Sequence, residues 1–269
     1  MKFLNQNYQA LKILSSYRGR LWDGVIQDVK QRYVGSLFGS LWAFIFPLMQ
    51  LSIYGVLYTI VFKIRVPGLS EMGYVLLVFS GLVPLIAFNE ALMGATSSLI
   101  SNKSLLLNTV FPAELIPVRV ALSSHVTSLV ALFITLILGL LLGMTNWLAL
   151  VLIPVFWILL LMFAIGLGWI FSLFSLVSRD LQHGLGLVLM MLFMLSPFAY
   201  TPEMVPSGLR PIIYLNPLSY FVLVFQKIIC YGELPDLLPT VGSIFLGVTT
   251  FLAGFNLFQK AKFTFFDYA

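Results

Sequence analysis

The feature that most constrains this chain is the stretch between Arg119 and Arg179, which contains no Asp, Glu, Lys or Arg. A membrane helix needs roughly 20 mostly apolar residues, so the stretch is too long for one crossing. The sequence GMTNW at 143–147 supplies a Gly/Asn turn, which divides it into predicted spans at about 117–142 and 148–177. The whole chain is 60% hydrophobic and only 9% charged, against about 25% charged residues in soluble domains. The sequence therefore predicts an integral membrane protein built from helices.

Apolar runs predict four further spans, at about 37–62, 72–98, 184–200 and 237–258, and Pro84 and Glu90 interrupt the second of these. The predicted fold class is all-α integral membrane with six transmembrane helices, in a single domain over 1–269. Its parts are an N-terminal segment at 1–34, a six-span region at 35–258 and a tail at 259–269.

Residues 201–236, between the fifth and sixth spans, are rich in proline and aromatic residues. Their uncharged run 211–226 is short for a crossing, and we interpret the region as two short re-entrant or interfacial helices. Such helices are tolerated where protein or a water-filled cavity surrounds them. A complete seventh span is the alternative, but it would separate the tail from the N-terminus.

The distribution of basic residues orients the six spans. Eleven of the 15 Lys and Arg residues fall on the side of both termini, which the positive-inside rule places in the cytoplasm. Lys63 and Arg65 lie on the other side, against this trend. We attribute the net charge of +5 to basic residues that orient the chain against anionic lipid, rather than to nucleic-acid binding. No cleavable signal peptide is evident, so we expect the first span to direct insertion.

Residues for an enzymatic reaction are not apparent in the sequence. There is no G-x-x-x-x-G-K-[ST] phosphate loop, and His125 and His183 lack acidic partners at metal-ligand spacing. The single cysteine, Cys230, excludes an internal disulfide. We therefore expect no catalytic site, metal or cofactor in this chain, and an external source of energy for any active process.

The segment RLWDGVIQDVKQRYVGS, at 20–36, precedes the first span. Its apolar residues recur at the spacing of one helical stripe and are Trp22, Val25, Ile26, Val29 and Tyr33. Basic flanks and a Trp on the apolar face predict a helix in the cytoplasmic interface. A passive anchor and a docking surface are both compatible with this pattern.

The link SNKSLLLNTVFPAELIPVR, at 101–119, joins the second and third spans on the cytoplasmic side. Ser101 or Asn102 can cap a short helix through 103–109. Pro112 suits the first turn of another helix, with Glu114 near its positive end. We expect a rigid helical elbow, which we call the connector. Apolar side chains are available there to face a partner or to enter the lipid: Leu105, Leu106, Val110 and Phe111.

The first span carries polar groups among its aromatic residues. Gln50, Tyr54 and Tyr58 share one helical face with Phe62, and Trp42, Phe46 and Met49 share another. Polar groups inside a span usually face protein or a pathway, and aromatic rings stack on the apolar face of sugars. Glu90 marks either a polar cavity or a structural hydrogen bond. Candidate path residues are Trp42, Gln50, Tyr54, Tyr58 and Glu90, with generic packing as the alternative.

Three blocks of sequence are informative when taken together: QDVKQRYVGSLFGSLWAFIFP (27–47), NKSLLLNTVFPAELIP (102–117) and SPFAYTPEMVPSGLRPIIYLNPLSY (196–220). They resemble the permease subunits of type-2 ABC exporters for polysaccharides and polyol phosphates. The resemblance covers nearly the whole chain and is closest to O-antigen and teichoic-acid exporters.

This resemblance implies a homodimer in the bacterial cytoplasmic membrane, with the path between two copies and two cytoplasmic ATPase subunits that carry ATP and Mg. The connector corresponds to the family's coupling helix, and residues 201–230 to paired re-entrant helices at the exit. The residues that match the ATPase-coupling elements are Asp28, Arg32, Tyr33, Asn102, Leu107, Phe111, Pro112, Glu114 and Pro117. The residues that match the exit motif are Pro197, Tyr200, Pro202, Glu203, Asn216 and Pro217. Asn108 and Thr109 stand where family members often have a basic residue.

The resulting hypothesis is export of undecaprenyl-linked O-antigen polysaccharide. Teichoic-acid or capsule export is the alternative within this class, and an ATP-independent channel or a membrane scaffold is the alternative outside it. A membrane-embedded glycosyltransferase or hydrolase would need paired carboxylates or a metal site, which the sequence does not supply. The tail FTFFDYA adds no domain, so we expect any carbohydrate-binding module on the ATPase partner.

Overall fold

The computed structural model describes residues 15–103 and 112–266, in which helices are the only regular secondary structure. Short 3₁₀ turns lie at Gly39–Leu41 and Pro202–Met204, and a π-helical turn at Leu57–Val61 extends the second helix. The α-helices are α1 (Arg18–Gln31), α2 (Trp42–Val56), α3 (Glu71–Ser101), α4 (Leu115–Leu141), α5 (Trp147–Val177), α6 (Asp180–Leu195), α7 (Arg210–Leu215), α8 (Pro217–Cys230) and α9 (Leu237–Phe266).

Five segments of the described chain are long and apolar enough to cross a membrane. They are Gly39–Val61, Glu71–Ser101, Leu115–Leu141, Trp147–Val177 and Leu237–Lys262. The remaining predicted span, the fifth at 184–200, corresponds to α6, which has 16 residues and is therefore about 24 Å long. A typical hydrocarbon core is about 30 Å thick. Helix α6 ends at Leu195 because Ser196 is extended (φ −74°, ψ 139°), the conformation favoured before a proline.

Side-chain caps and a glycine turn set several helix boundaries. The Ser70 hydroxyl accepts a hydrogen bond from the Gly73 amide and begins α3, and the Asn146 side chain does the same for Leu148 in α5. The predicted Gly/Asn turn is confirmed, with Gly143 in the left-handed region (φ 69°). Helix α3 continues through Pro84, so the predicted interruption there is wrong. Proline is tolerated in membrane helices where neighbouring groups satisfy the freed backbone.

Glycines bring the backbones of α5 and α9 together. A Cβ at Gly247 would lie 2.8 Å from the Leu159 carbonyl oxygen, and one at Gly254 would collide with the Gly166 carbonyl. Membrane helices associate closely through such small residues because lipid provides no hydrophobic drive between helices. Helix α9 also extends beyond the predicted end of its span at 258.

Helix α3 is the centre of the bundle, with most of its side chains buried, whereas α2 is the most exposed span. We distinguish two ends of the bundle. The α1 end holds Asp28, Asn102 and Glu114, and the opposite end holds Gly73 and Cys230, whose Sγ lies 3.6 Å from the Gly73 carbonyl oxygen.

Candidate functional site

The first end of the connector is fastened to α1 and α4 by Arg119. Its Nε lies 2.9 Å from Asp28 Oδ2, and its guanidinium donates to Asn102 Oδ1 at 3.2 Å. The Asn102 amide donates in turn to the Ser98 carbonyl at 2.8 Å. Gly24 makes room for this arrangement, because a Cβ there would lie 2.6 Å from Arg119 Cδ. One cation therefore joins α1, α3 and α4 where the chain leaves α3.

The second end of the connector is fastened by Glu114, the residue before α4. Gln259 Nε2 donates to its Oε1 at 2.7 Å, and Lys262 Nζ lies 3.4 Å from both carboxylate oxygens. The Glu114 carbonyl accepts a hydrogen bond from Trp169 Nε1 at 2.8 Å. This end of the connector therefore contacts α5 and α9.

Several predicted coupling residues cluster at these two ends. Asp28, Asn102 and Glu114 are joined to other helices there, while Pro117 lies in the first turn of α4 and is buried. Pro112 precedes the helix rather than starting it, since α4 begins at Leu115. Residues 104–111 lie outside the described part of the chain, and they include Leu107, Phe111 and most of the predicted short helix through 103–109.

Sequence reasoning missed three residues of this arrangement. Arg119, Gln259 and Lys262 had no predicted contact, and the two basic residues served only to orient the chain. Arg119 carries a signal in retrospect, because it is the last charge before the long uncharged stretch. The partners of Glu114 lie 145 and 148 residues away in sequence, and no local pattern indicates them.

Helix α1 has two apolar faces instead of the single predicted stripe. Leu21, Gly24 and Val25 are buried against the bundle, whereas Trp22 is 53% exposed and Ile26 is 38% exposed. The predicted helix is present, but packing on α4 divides its apolar residues. Trp22 and Ile26 are left available to lipid or to another protein.

A cavity of about 420 Å³ lies between α2, α3 and α4, with the end of α1 at its edge. Its lining is Arg32, Tyr33, Ser36, Trp42, Ala43, Phe46, Pro47, Gln50, Leu51, Val83, Ile86, Glu90, Thr127, Ser128 and Ala131. The Arg32 guanidinium donates to Ser124 Oγ at 3.0 Å and Thr127 Oγ1 at 3.2 Å. Arg32 and Tyr33, predicted for coupling, thus line the same cavity as the predicted path residues Trp42, Gln50 and Glu90. Charged, amide and aromatic groups together can hydrogen-bond sugar hydroxyls and stack on sugar rings.

Tyr54 and Tyr58, also predicted for the path, do not line this cavity. Their rings lie 6.1 and 5.7 Å from the Phe198 ring, both edge to face, and Tyr54 also contacts Phe193 at 6.3 Å. Edge-to-face aromatic pairs at these distances stabilise packing. The structure therefore divides the predicted path residues into a cavity group and a packed aromatic group.

Asn216 lies at the turn between α7 and α8 and makes three hydrogen bonds. Its Oδ1 accepts from the Leu218 amide at 3.0 Å and begins α8, with Pro217 in the first turn. Its Nδ2 donates to the Leu192 carbonyl and to Ser196 Oγ, each at 2.8 Å. Asn216 thus joins the start of α8 to the end of α6.

The other predicted exit residues surround the link from α6 to α7. The buried Gln226 Nε2 donates to the carbonyls of Pro197 and Phe198 at 2.9 and 3.2 Å, and sequence reasoning missed it. The Tyr200 hydroxyl donates to the Leu195 carbonyl. Pro202 and Glu203 form a 3₁₀ turn, and the Glu203 carbonyl accepts from Arg210 at 3.3 Å.

Aromatic contacts show how deep α8 begins. Phe221 stacks on Phe163 at 5.7 Å, and Phe163 stacks on Phe88 at 4.8 Å. Phe88 lies near the middle of α3, which spans Glu71–Ser101, whereas Cys230 at the end of α8 contacts Gly73. Helix α8 therefore runs from about mid-bundle to the opposite end, and the Asn216 turn that precedes it lies near mid-bundle.

Most of this chain can be aligned with known proteins. Residues 24–230 match the family described as "ABC-2 type transporter". The O-antigen export system permease protein of Myxococcus xanthus is 28% identical over 256 residues, which cover 94% of this chain and 96% of that relative. A Klebsiella pneumoniae protein of the same description is 28% identical over 240 residues, 89% of this chain and 90% of its own. A second from Klebsiella pneumoniae is 28% identical over 242 residues, with the same coverage.

Proposed function

Because the chain belongs to the ABC-2 type transporter family, we propose that it is the permease subunit of an ATP-driven O-antigen polysaccharide exporter. It would move an undecaprenyl-linked glycan across the bacterial cytoplasmic membrane, with ATP and Mg bound by two copies of a separate ABC ATPase. The observation that carries this proposal is similarity to O-antigen permeases over 94% of the chain and 96% of the relative. The two fastened ends of the connector support a mechanical role for this region.

The proposed topology has six crossings, with both termini in the cytoplasm. Helix α6 would be the fifth crossing, completed by the link that Gln226 holds, and α7 and α8 would form the re-entrant pair. The mid-bundle position of the Asn216 turn supports this arrangement, because a buried turn needs protein partners for its backbone groups. The excess of Lys and Arg on the side of the termini supports the orientation.

Coupling to the ATPase would occur at the α1 end. Trp22 and Ile26 remain exposed there, and the Asp28–Arg119–Asn102 contacts link α1 to α3 and α4. A force on the connector would therefore reach three helices through one ion pair. This property distinguishes the region from a passive loop.

The glycan path would lie between two copies of the chain, beside α2. The cavity holds Arg32, Gln50 and Glu90 on the face of the most exposed span. Charged and amide groups are costly in lipid, so a second copy and a water-filled path are the surroundings that suit them. We propose that the cavity is part of that path.

Deletion of the gene in its host tests the proposal. We expect loss of surface O-antigen and accumulation of lipid-linked glycan inside the cell, with both restored by the wild-type gene. Persistence of the surface polysaccharide without internal accumulation would refute the function.

Copurification tests the transport class separately. The tagged permease should copurify with an ABC ATPase whose hydrolysis changes in the complex. An ATP-independent channel would purify without a nucleotide-binding subunit.

A further inference from the structure

Glu114 is the most enclosed carboxylate at the α1 end. Its side chain is 6% exposed, and both carboxylate oxygens have partners on α9, in Gln259 and Lys262. Its carbonyl oxygen is also occupied, by the Trp169 indole. A carboxylate enclosed in this way cannot reach a cytoplasmic partner without leaving its own contacts.

Helix α9 can carry a displacement because it is tightly packed on α5. The glycine contacts bring the two backbones together, and the Trp169 ring lies 5.0 and 5.3 Å from Phe251 and Phe255 of α9. Breaking a buried ion pair by moving one partner is strongly unfavourable. A movement of the connector at Glu114 must therefore move α9 and α5 with it.

We propose that Glu114 is a positioning residue that fastens the connector to Gln259 and Lys262, so that α9 receives the movement of the connector. This inference rests on the proposed coupling function and changes the role of Glu114 within it. The residue would act through its own chain instead of binding the ATPase. Gln259 and Lys262 lie beyond residues 24–230 that match the family, so the family match does not account for this contact.

A charge exchange tests the proposal in the full complex with its ATPase. Glu114→Lys and Lys262→Glu should each lower export per ATP hydrolysed about tenfold, a size typical of direct coupling between contacting residues. The double exchange should restore export to within about threefold of the wild type, because the pair is rebuilt with opposite polarity. Copurification with the ATPase should be unchanged in all three variants, since Glu114 does not contact it.

Lys260 provides the matched control. It lies exposed on the same helix as Lys262, and its replacement by Glu changes the charge by the same amount. No contact between Lys260 and Glu114 is observed. Lys260→Glu should leave export within about twofold of the wild type, and Glu114→Lys with Lys260→Glu should export no better than Glu114→Lys alone. Equal loss in Lys260→Glu and Lys262→Glu, or no rescue by the Glu114–Lys262 exchange, would overturn the proposal.

A crosslinking experiment tests the same contact if the charge variants fail to insert into the membrane. Glu114→Cys and Gln259→Cys in a Cys230→Ser background should react with a short bifunctional thiol reagent within one chain. Absence of that crosslink would overturn the proposal. If wild-type complexes neither bind an ATPase nor export glycan, the proposed function fails while the crosslink still reports the contact; if only the rescue and crosslink fail, the function stands.

Discussion

Replacement of Asn216 tests how the turn between α7 and α8 is stabilised. Asn216 is 2% exposed and makes three hydrogen bonds, one as the cap of α8 and two as a donor to α6. Loss of a helix cap destabilises by about 1 kcal/mol. Side-chain hydrogen bonds in membrane proteins contribute about 0.6 kcal/mol each. Asn216→Ala should therefore lower the free energy of unfolding by about 2 kcal/mol.

Asn216→Ser is the matched control, because a hydroxyl can cap α8 but is too short to reach the Leu192 carbonyl. It should lose only about 1 kcal/mol. Ser196→Ala should also lose about 1 kcal/mol, because the Ser196 hydroxyl accepts from Asn216 and donates to the Leu192 carbonyl. Reversible unfolding in mixed micelles, followed by tryptophan fluorescence, measures all three variants.

The order of the variants decides the result. If Asn216→Ala is as stable as the wild type, the buried turn does not depend on these bonds. If the Ser variant is as unstable as the Ala variant, the assignment of the cap is wrong.

Three further predictions concern packing and the path. Gly254→Leu should separate α5 from α9 and lower stability by about 3 kcal/mol, whereas Gly184→Leu, where a Cβ meets no atom within 4 Å, should change the unfolding midpoint little. Gln50→Leu should lower export about threefold to tenfold without moving that midpoint; unchanged export would exclude Gln50 from the path. Tyr54→Ala and Tyr58→Ala should each lower stability by about 2 kcal/mol, and a loss of export at unchanged stability would place them on the path instead.

Five of the predicted spans could be located from the sequence because each depends on a local run of apolar residues. The Gly143 turn and the Asn146 cap are local as well, and both are observed. Helix α6 differs because its length depends on where Pro197 ends it, and the apolar run continues past that point.

The sequence indicated several polar residues of the candidate site but not all of their partners, because motifs are local and contacts between helices are not. Motifs drew attention to Asp28, Asn102, Glu114 and Asn216, and the structure gives each of them a polar partner on another part of the chain. The sequence did not indicate the partners of Glu114, since Gln259 and Lys262 lie 145 and 148 residues away and share no sequence pattern with it.

By itself, the sequence determined that this chain is a helical membrane protein, where most of its helices begin and end, and which polar residues lie among apolar ones. Hydropathy and turn chemistry act over a few residues, so a single segment carries that information. Only the tertiary structure decided which helices share a polar contact. The Glu114–Lys262 pair shows why: it joins residues 148 positions apart, and only the packing of α9 on α5 brings them within reach.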